Sequence, residues 1–319
     1  MMPRKARNLL GACRYKDALL IAPEKSEYDP RGGLALVTVA GGRFRVESIP
    51  FPGQMVSAIA TGPEPDQIVA ISDGYVLSNR PADRGWSAVR TLPTPGSRSL
   101  LPHEHPWSAL AIPTDMPLPT AVSCGGDPVM IGCVDGSIYR IIDGRFEPMP
   151  GIETLPEWAK GVPYTLISLP HGEAVALGSM EVPLARPAGG SWGPMPCPAL
   201  PERGRFIRGQ SSQDGFVACT SDHWLLRGRA AEVEVLGRLD EEAFDVVEVG
   251  EALIVATMHG LRRIVGLEVE MISPDIAPVF LVVAGNHLFG IDIADAMNPN
   301  LVAWPLASDG VLGEPLTEP

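Results

Sequence analysis

The sequence predicts an all-β protein made of seven repeats, each of four antiparallel strands. Three observations carry this. The 319 residues include 34 glycines and 33 prolines, too many helix breakers for a bundle or a coiled coil, yet short of the roughly 25–30 % Pro plus Gly at which composition argues for disorder. Pairs of short apolar runs meet at tight turns rich in Asp, Gly and His. Those turns recur about every 40 residues, and a fixed period of that length marks a repeat architecture. Hydrophobic residues at 45 % and charged residues at 20 % supply enough apolar material for a full core in a chain of this length.

The clearest hairpins join Gln67–Ser72 to Tyr75–Asn79 through Asp73-Gly74, and Val129–Val134 to Ser137–Ile142 through Asp135-Gly136. Two more follow the same plan: Gly215–Ser221 with Trp224–Arg227 about Asp222-His223, and Ala252–Met258 with Leu261–Val265 about His259-Gly260. Asp-Gly between β-prone runs is a strong hairpin signal, and it predicts a turn with both central residues at positive φ. Weaker copies complete the series, with turns at Arg31 to Gly33 and Met180-Glu181 and a longer connection from Asp292 to Asn300. Taken at positions 33, 74, 136, 181, 223, 260 and about 297, the turns are spaced by 41, 62, 45, 42, 37 and 37 residues. The second interval therefore carries an insertion, placed at Thr94 to Trp107. A further strand precedes most hairpins, as in Val56–Ala60, Thr120–Cys124, Tyr164–Leu169, Phe206–Gln210, Phe244–Val249 and Val279–Ala284. Leu239 to Val265 competes as a helix, since Asp240-Glu241-Glu242-Ala243 resembles a helical first turn. Glycines 250 and 260 and the alternation Phe244, Val246, Glu248 favour strands.

Repeats of this length and layout resemble the β-propeller superfamily, and the resemblance runs from about residue 8 to 316. Asp83-Arg84-Gly85-Trp86 and Gly189-Gly190-Ser191-Trp192 resemble the Asp-box turns of sialidase-type and sortilin-type propellers. No Gly-His…Trp-Asp pairs of the WD40 kind occur. The resemblance implies one domain over residues 1–319, a seven-bladed β-propeller of four-stranded antiparallel blades. It also implies that the links between blades share one face with the turns from second to third strand.

With 25 Lys and Arg against 38 Asp and Glu, the net charge is −13, a field that repels phosphate backbones and anionic lipid. Nucleic acid and membranes are thus not expected partners. The basic run Arg4, Lys5, Arg7 and Arg14 surrounds too short an apolar stretch for a signal peptide, and no run approaches the roughly 20 apolar residues of a membrane span. Five scattered cysteines without C-x-x-C spacing suit free, mostly buried thiols and a cytoplasmic location.

Catalytic patterns do not survive their context. Gly189-x-Ser191-x-Gly193 matches a nucleophile elbow, but Pro194, Pro196 and Pro198 forbid the helix that must follow, so a hairpin turn is expected. His103-Glu104-His105 lacks a third metal ligand nearby. His223 and His259 serve equivalent turns. No P-loop, dinucleotide fingerprint or EF-hand is present, and no cofactor is expected. What the blade links do offer is charge and aromatic surface: Arg98, His103, Glu104, His105 and Trp107 in the insertion, Trp158 in a Pro-rich link, and Asp240, Glu241 and Glu242 in another. The expected function is a non-catalytic scaffold whose acidic loop face holds a basic protein partner, as a neutraliser of a basic toxin or a subunit of an assembly. The alternative is a metal-dependent, lactonase-like hydrolase with Asp73, Asp135, Asp222 and His259 as ligands at the channel mouth. A third reading is carbohydrate binding by Trp107 and Trp158.

Overall fold

A computed structural model describes residues 9–23, 33–51, 56–61, 67–72, 74–79, 86–88, 107–124, 128–197, 206–212, 215–229, 232–266, 268–292 and 300–317. Its regular structure is nearly all strand, with three short 3-10 turns besides. Four sheets have four strands each in chain order and antiparallel. The first holds β1 (Leu9–Tyr15), β2 (Ala18–Pro23), β3 (Gly33–Ala40) and β4 (Arg43–Pro50). A five-stranded sheet follows, with β5 (Val56–Thr61), β6 (Ile68–Ser72), β7 (Tyr75–Ser78), β8 (Ser87–Ala88) and β9 (Ser108–Ala111) in the order β5-β6-β7-β9-β8.

The next eight strands form one sheet of two antiparallel halves. One half is β10 (Pro119–Cys124), β11 (Met130–Cys133), β12 (Ile138–Ile142) and β13 (Arg145–Pro148); the other is β14 (Pro163–Ser168), β15 (Ala174–Gly178), β16 (Leu184–Arg186) and β17 (Gly193–Pro194). Only a short parallel pairing of β10 with β14, at Ser123 with Leu166 and Cys124 with Ile167, joins them. Three more four-stranded sheets complete the chain. They are β18 (Phe206–Ser212), β19 (Gly215–Thr220), β20 (Trp224–Arg229) and β21 (Glu232–Arg238); β22 (Ala243–Val249), β23 (Ala252–Thr257), β24 (Gly260–Val265) and β25 (Glu268–Ser273); and β26 (Pro278–Ala284), β27 (His287–Asp292), β28 (Asn300–Pro305) and β29 (Leu316–Thr317). Leu239 to Val265 is thus strand, as the glycines and alternation predict.

Burial explains the sequence pattern within each sheet. The second strand is mostly apolar, as in Ala252–Thr257, because sheets cover it on both faces, and all six residues of that strand are buried. The outermost strand Glu268–Ser273 faces solvent and is charged. Consecutive sheets pack face to face through apolar clusters, such as the one joining β14 and β15 to β19 and β20 through Leu177, Phe216 and Leu226. The first strands adjoin in cyclic order: β1 with β5, β5 with β10, β10 with β14, β14 with β18, β18 with β22, β22 with β26, and β26 back to β1. A cluster of Leu19, Val37, Phe280, Val282, Phe289 and Leu301 closes this ring.

Because strands within a sheet alternate in direction, the links between sheets and the turns from second to third strand lie on one face, the link face. Two expectations change here. At Asp135-Gly136 the turn does not put both residues at positive φ, Gly136 having φ +89° and Asp135 not, whereas Asp143-Gly144 between β12 and β13 does, at +49° and +69°. Gly136 N donates to Cys133 O at 3.0 Å and Cys133 N to Ser137 O at 2.9 Å, a three-residue turn with a bulge that needs glycine only at its last position. At the equivalent place in the next-but-one hairpin, His223 stands in for glycine with φ +70°. The second change concerns the insertion. It lies not in a link but between the third and fourth strands of its sheet, after β7 and β8 and before β9. Ala88 pairs with Ser108, so the strand ends that flank it both lie at the face opposite the links. Arg98, His103, Glu104 and His105 within it lie outside the described residues.

Candidate functional site

The link Leu239–Glu242 shows how the link face is built. Leu239 is buried and its N–H donates to His223 O at 2.9 Å, which fixes the chain so that Asp240 faces solvent and Glu241 turns inward. Glu241 Oε2 accepts the His259 N–H at 3.2 Å and lies 2.6 Å from His259 Nδ1. Its Oε1 pairs with Arg262 on β24, whose Nη1 also holds Asp240 Oδ1 at 2.9 Å. Burial pushes the Glu241 carboxyl up, but the His259 hydrogen bond and the Arg262 charge outweigh that, and it rests below its ordinary value. The arrangement orients an imidazole whose ring is 71 % exposed. Among the described residues no three His, Cys, Asp or Glu side chains converge to hold a metal ion.

Beneath this cluster, Asp245 on β22 is buried and ties three first strands together. Its Oδ2 accepts from Leu281 N at 2.8 Å and Gln210 Nε2 at 3.0 Å, with Arg208 Nη1 at 3.9 Å, and its Oδ1 accepts from Val246 N at 2.9 Å. Gln210 Nε2 also donates to Leu281 O at 2.6 Å, and Arg208 Nη1 to Val279 O at 3.0 Å. Burial raises the Asp245 carboxyl despite Arg208 and those hydrogen bonds. Every neighbour is a donor, so the site is built for an acceptor on both oxygens.

Charge is heaviest on the link face. Its described links carry Asp115, Glu153, Glu157, Asp240, Glu241, Glu242 and Asp275, and its turns Asp135, Glu181 and Asp222. Lys160 is the one lysine or arginine among those residues, and it is bound to Glu157 at 2.7 Å. The turns of the opposite face are also acidic, with Asp17, Asp143, Glu173, Glu251, Asp309 and Glu314 beside Lys16. What separates the two faces is exposed apolar surface. Leu118 (69 % exposed), Val134, Trp158 (48 %), Tyr164 and Met258 all sit at the link face, whereas among the described residues Val311 is the one large exposed apolar residue at the opposite turns. Val46, Val269 and Met271 lie on outer strands.

Trp107 corrects the expectation of a surface anchor. It is 2 % exposed and meets Phe51 edge-on, ring centres 5.0 Å apart at 87°, because it directly precedes β9 and fills the core between the first two sheets. Trp158 is exposed as expected, on a short 3-10 turn at Glu157–Ala159 whose Ala159 is its buried foot. Asp240 is exposed, Glu242 is half-buried, and Glu241 is spent internally on Arg262 and His259. Asp73 lies outside the described residues. Asp135 turns its Oδ1 onto Ser137 N and Oγ at 3.0 and 2.6 Å, and Asp222 and His259 belong to different sheets. Leu118, Val134, Tyr164 and Arg262 are additions that no motif announces.

No protein-family model and no curated protein sequence matches the chain. Solved structures do. The computationally designed protein Ika8 superposes with TM-score 0.61 at 11 % identity over 97 % of this chain and 86 % of its own. The WD40 β-propeller domain of Doa1 gives 0.58 at 9 % over 93 % and 92 %, and YCF48 bound to D1 peptide gives 0.56 at 13 % over 91 % and 90 %. The chain is a β-propeller. In this propeller the Ser191 pattern is a turn between β16 and β17, where Gly189 has φ +67° and Trp192 N donates to Pro150 O at 3.0 Å. Among the described residues, Cys133, Cys197 and Cys219 form no disulfide. Burial pushes Cys133 up to about 11 and Cys219 up to about 12, which makes both poor nucleophiles at neutral pH.

Proposed function

We propose that the protein is a non-catalytic interaction platform of the reducing cytoplasm, a seven-bladed propeller whose link face holds a basic protein partner. Seven blades are supported by the cyclic order of seven first strands and by the parallel seam at β10 and β14, which divides the eight-stranded sheet into two blades. Cys133, Cys197 and Cys219, which form no disulfide, fit a reducing compartment. The observation that carries the function is the coincidence, on one face, of exposed apolar side chains with ten carboxylates in the described links and turns, of which Asp240 and Glu241 are paired with Arg262 and Glu157 with Lys160. Carboxylates at that density steer a cationic partner, and apolar groups supply the close contact that charge alone does not. Carbohydrate stacking on Trp107 and Trp158 loses one of its two rings to the core.

A partner captured from a host extract, then purified, tests this through its association rate. The rate should fall several-fold between low salt and the physiological range, where the Debye length is about 8 Å. The joint substitution Asp240→Asn and Glu242→Gln should lower it further at low salt. A rate indifferent to both would overturn the acidic-face reading.

A further inference from the structure

The geometry points to one seat on that face, an apolar patch formed by Leu118, Val134, Trp158 and Tyr164 where the blade of β10–β13 meets the blade of β14–β17, which takes an extended partner segment bearing alternating apolar and Lys or Arg side chains. The inference rests on the reading of the link face as a partner surface and assigns the place and the ligand chemistry.

The four residues belong to one continuous piece of backbone packing. Val134 N donates to Leu118 O at 2.9 Å. Two residues further in, Thr120 Oγ1 donates to Pro163 O at 2.8 Å, and Tyr164 follows Pro163 directly. Gly136, in the turn that carries Val134, lies so close to Gly161 that a Cβ there would stand 2.9 Å from its carbonyl oxygen. Trp158 is three residues before that contact. Leu118, Val134 and Tyr164 are about half to two-thirds exposed, with Trp158 just under half, although all four stem from backbone that is locked. A rigid scaffold holding large apolar side chains in water is the arrangement that binding surfaces use, because little entropy remains to be lost on docking.

Charge selects the occupant. Asp115, Asp135, Glu153 and Glu157 stand on the same links and turn, and Lys160, the lone cation there, is held by Glu157. An acidic apolar segment would be repelled, and a purely cationic one would leave the patch wet. In an extended segment successive side chains point to opposite sides, so a Leu-Lys alternation puts apolar groups on the patch and leaves ammonium groups for the carboxylates around it.

The probe is a fluorescein-labelled extended peptide of about 12 residues in which Leu alternates with Lys, read by anisotropy on the whole chain. Leu118→Ser with Trp158→Ala should weaken it roughly tenfold or more, and Trp158→Tyr should retain most of the binding. Val269→Ser with Met271→Ser, on the outer strand of another blade, should leave it within about twofold. All these side chains are exposed, so the melting temperature should hold and confirm folding. A Ser-Lys peptide should bind weakly and a Leu-Glu peptide should not bind. If the Leu118 and Trp158 substitutions leave affinity unchanged while Asp240→Asn with Glu242→Gln lowers it, the patch is wrong and the acidic face stands. Equal binding of the Ser-Lys peptide overturns the patch as well. No binding by the Leu-Lys peptide overturns both.

Discussion

Glu241 and Asp245 are two buried carboxyls four residues apart, and their surroundings push them in opposite directions. Arg262, His259 and Asp240 surround Glu241, and its carboxyl rests low. A folded value below the unfolded one, about 4.3, adds stability above that pH, and the gain is lost as the pH falls through the lower folded value. Glu241→Gln should therefore cost about 1–3 kcal/mol at neutral pH, since Arg262 loses the buried one of its two charged partners. Acid should destabilise that variant less than the parent, which urea titrations at neutral and acid pH would show. Asp245 rests high because it is buried, so the folded chain takes up its proton more readily than the unfolded one. Even so, Asp245→Asn should destabilise by about 2–4 kcal/mol, because the new amide N–H₂ must face one of the N–H donors of Leu281, Val246 or Gln210. A neutral or stabilising Asn would show that the junction does not need two acceptors.

At the scale of the element, the turns decide where glycine is needed. Gly260 has φ +130°, and a Cβ there would lie only 2.0 Å from Ser273 O and 3.0 Å from Pro274 Cα, because the turn between β23 and β24 packs on the link that leaves β25. Gly41, between β3 and β4, has φ +61° with nothing within 4 Å. Gly41→Ala should cost about 1 kcal/mol from backbone strain alone. Gly260→Ala should cost well over twice that, since the opposing backbone must move. Equal costs in chemical unfolding would refute the packing of turn on link. His223 bears a comparable φ and is tolerated because the turn's other bonds hold it: its N–H donates to Thr220 O at 3.0 Å, and Trp224 N donates to Thr220 Oγ1 at 3.1 Å.

For the whole molecule, the described strands close the ring without exchange between the first and last sheets. The first sheet uses only residues of the chain's beginning, β1 to β4, and the last only those of its end, β26 to β29. Closure then depends on apolar packing of Phe280, Phe289 and Leu301 against Leu19 and Val37. Phe280→Ala should cost about 3–5 kcal/mol through the cavity it leaves. Amide exchange should quicken first in β1–β4 and β26–β29, because opening one seam frees those sheets before the others. Uniform quickening around the ring would count against closure by this seam.

Local sequence was enough for the strands, because the second strand of each sheet must be apolar on both faces, and runs such as Ala252–Thr257 can satisfy nothing else. The same holds for the turn glycines, for the strand nature of Leu239–Val265 and for the exposed Trp158 in its Pro-rich link. Tertiary structure decided the rest. Trp107 looks like a loop residue beside Pro106, yet it leads directly into β9, and burial follows from which sheet reaches it, not from its neighbours in sequence. Asp240, Glu241 and Glu242 look alike in the chain, but Arg262 and His259, brought in from another strand and turn, turn one of them inward. Leu118 and Val134 are ordinary apolar residues until the ring sets both at the link-face ends of their strands, where no further blade covers them. A strand's residues are dictated by period and polarity, which are local; exposure at a face is a property of the neighbours that the closed ring does or does not provide.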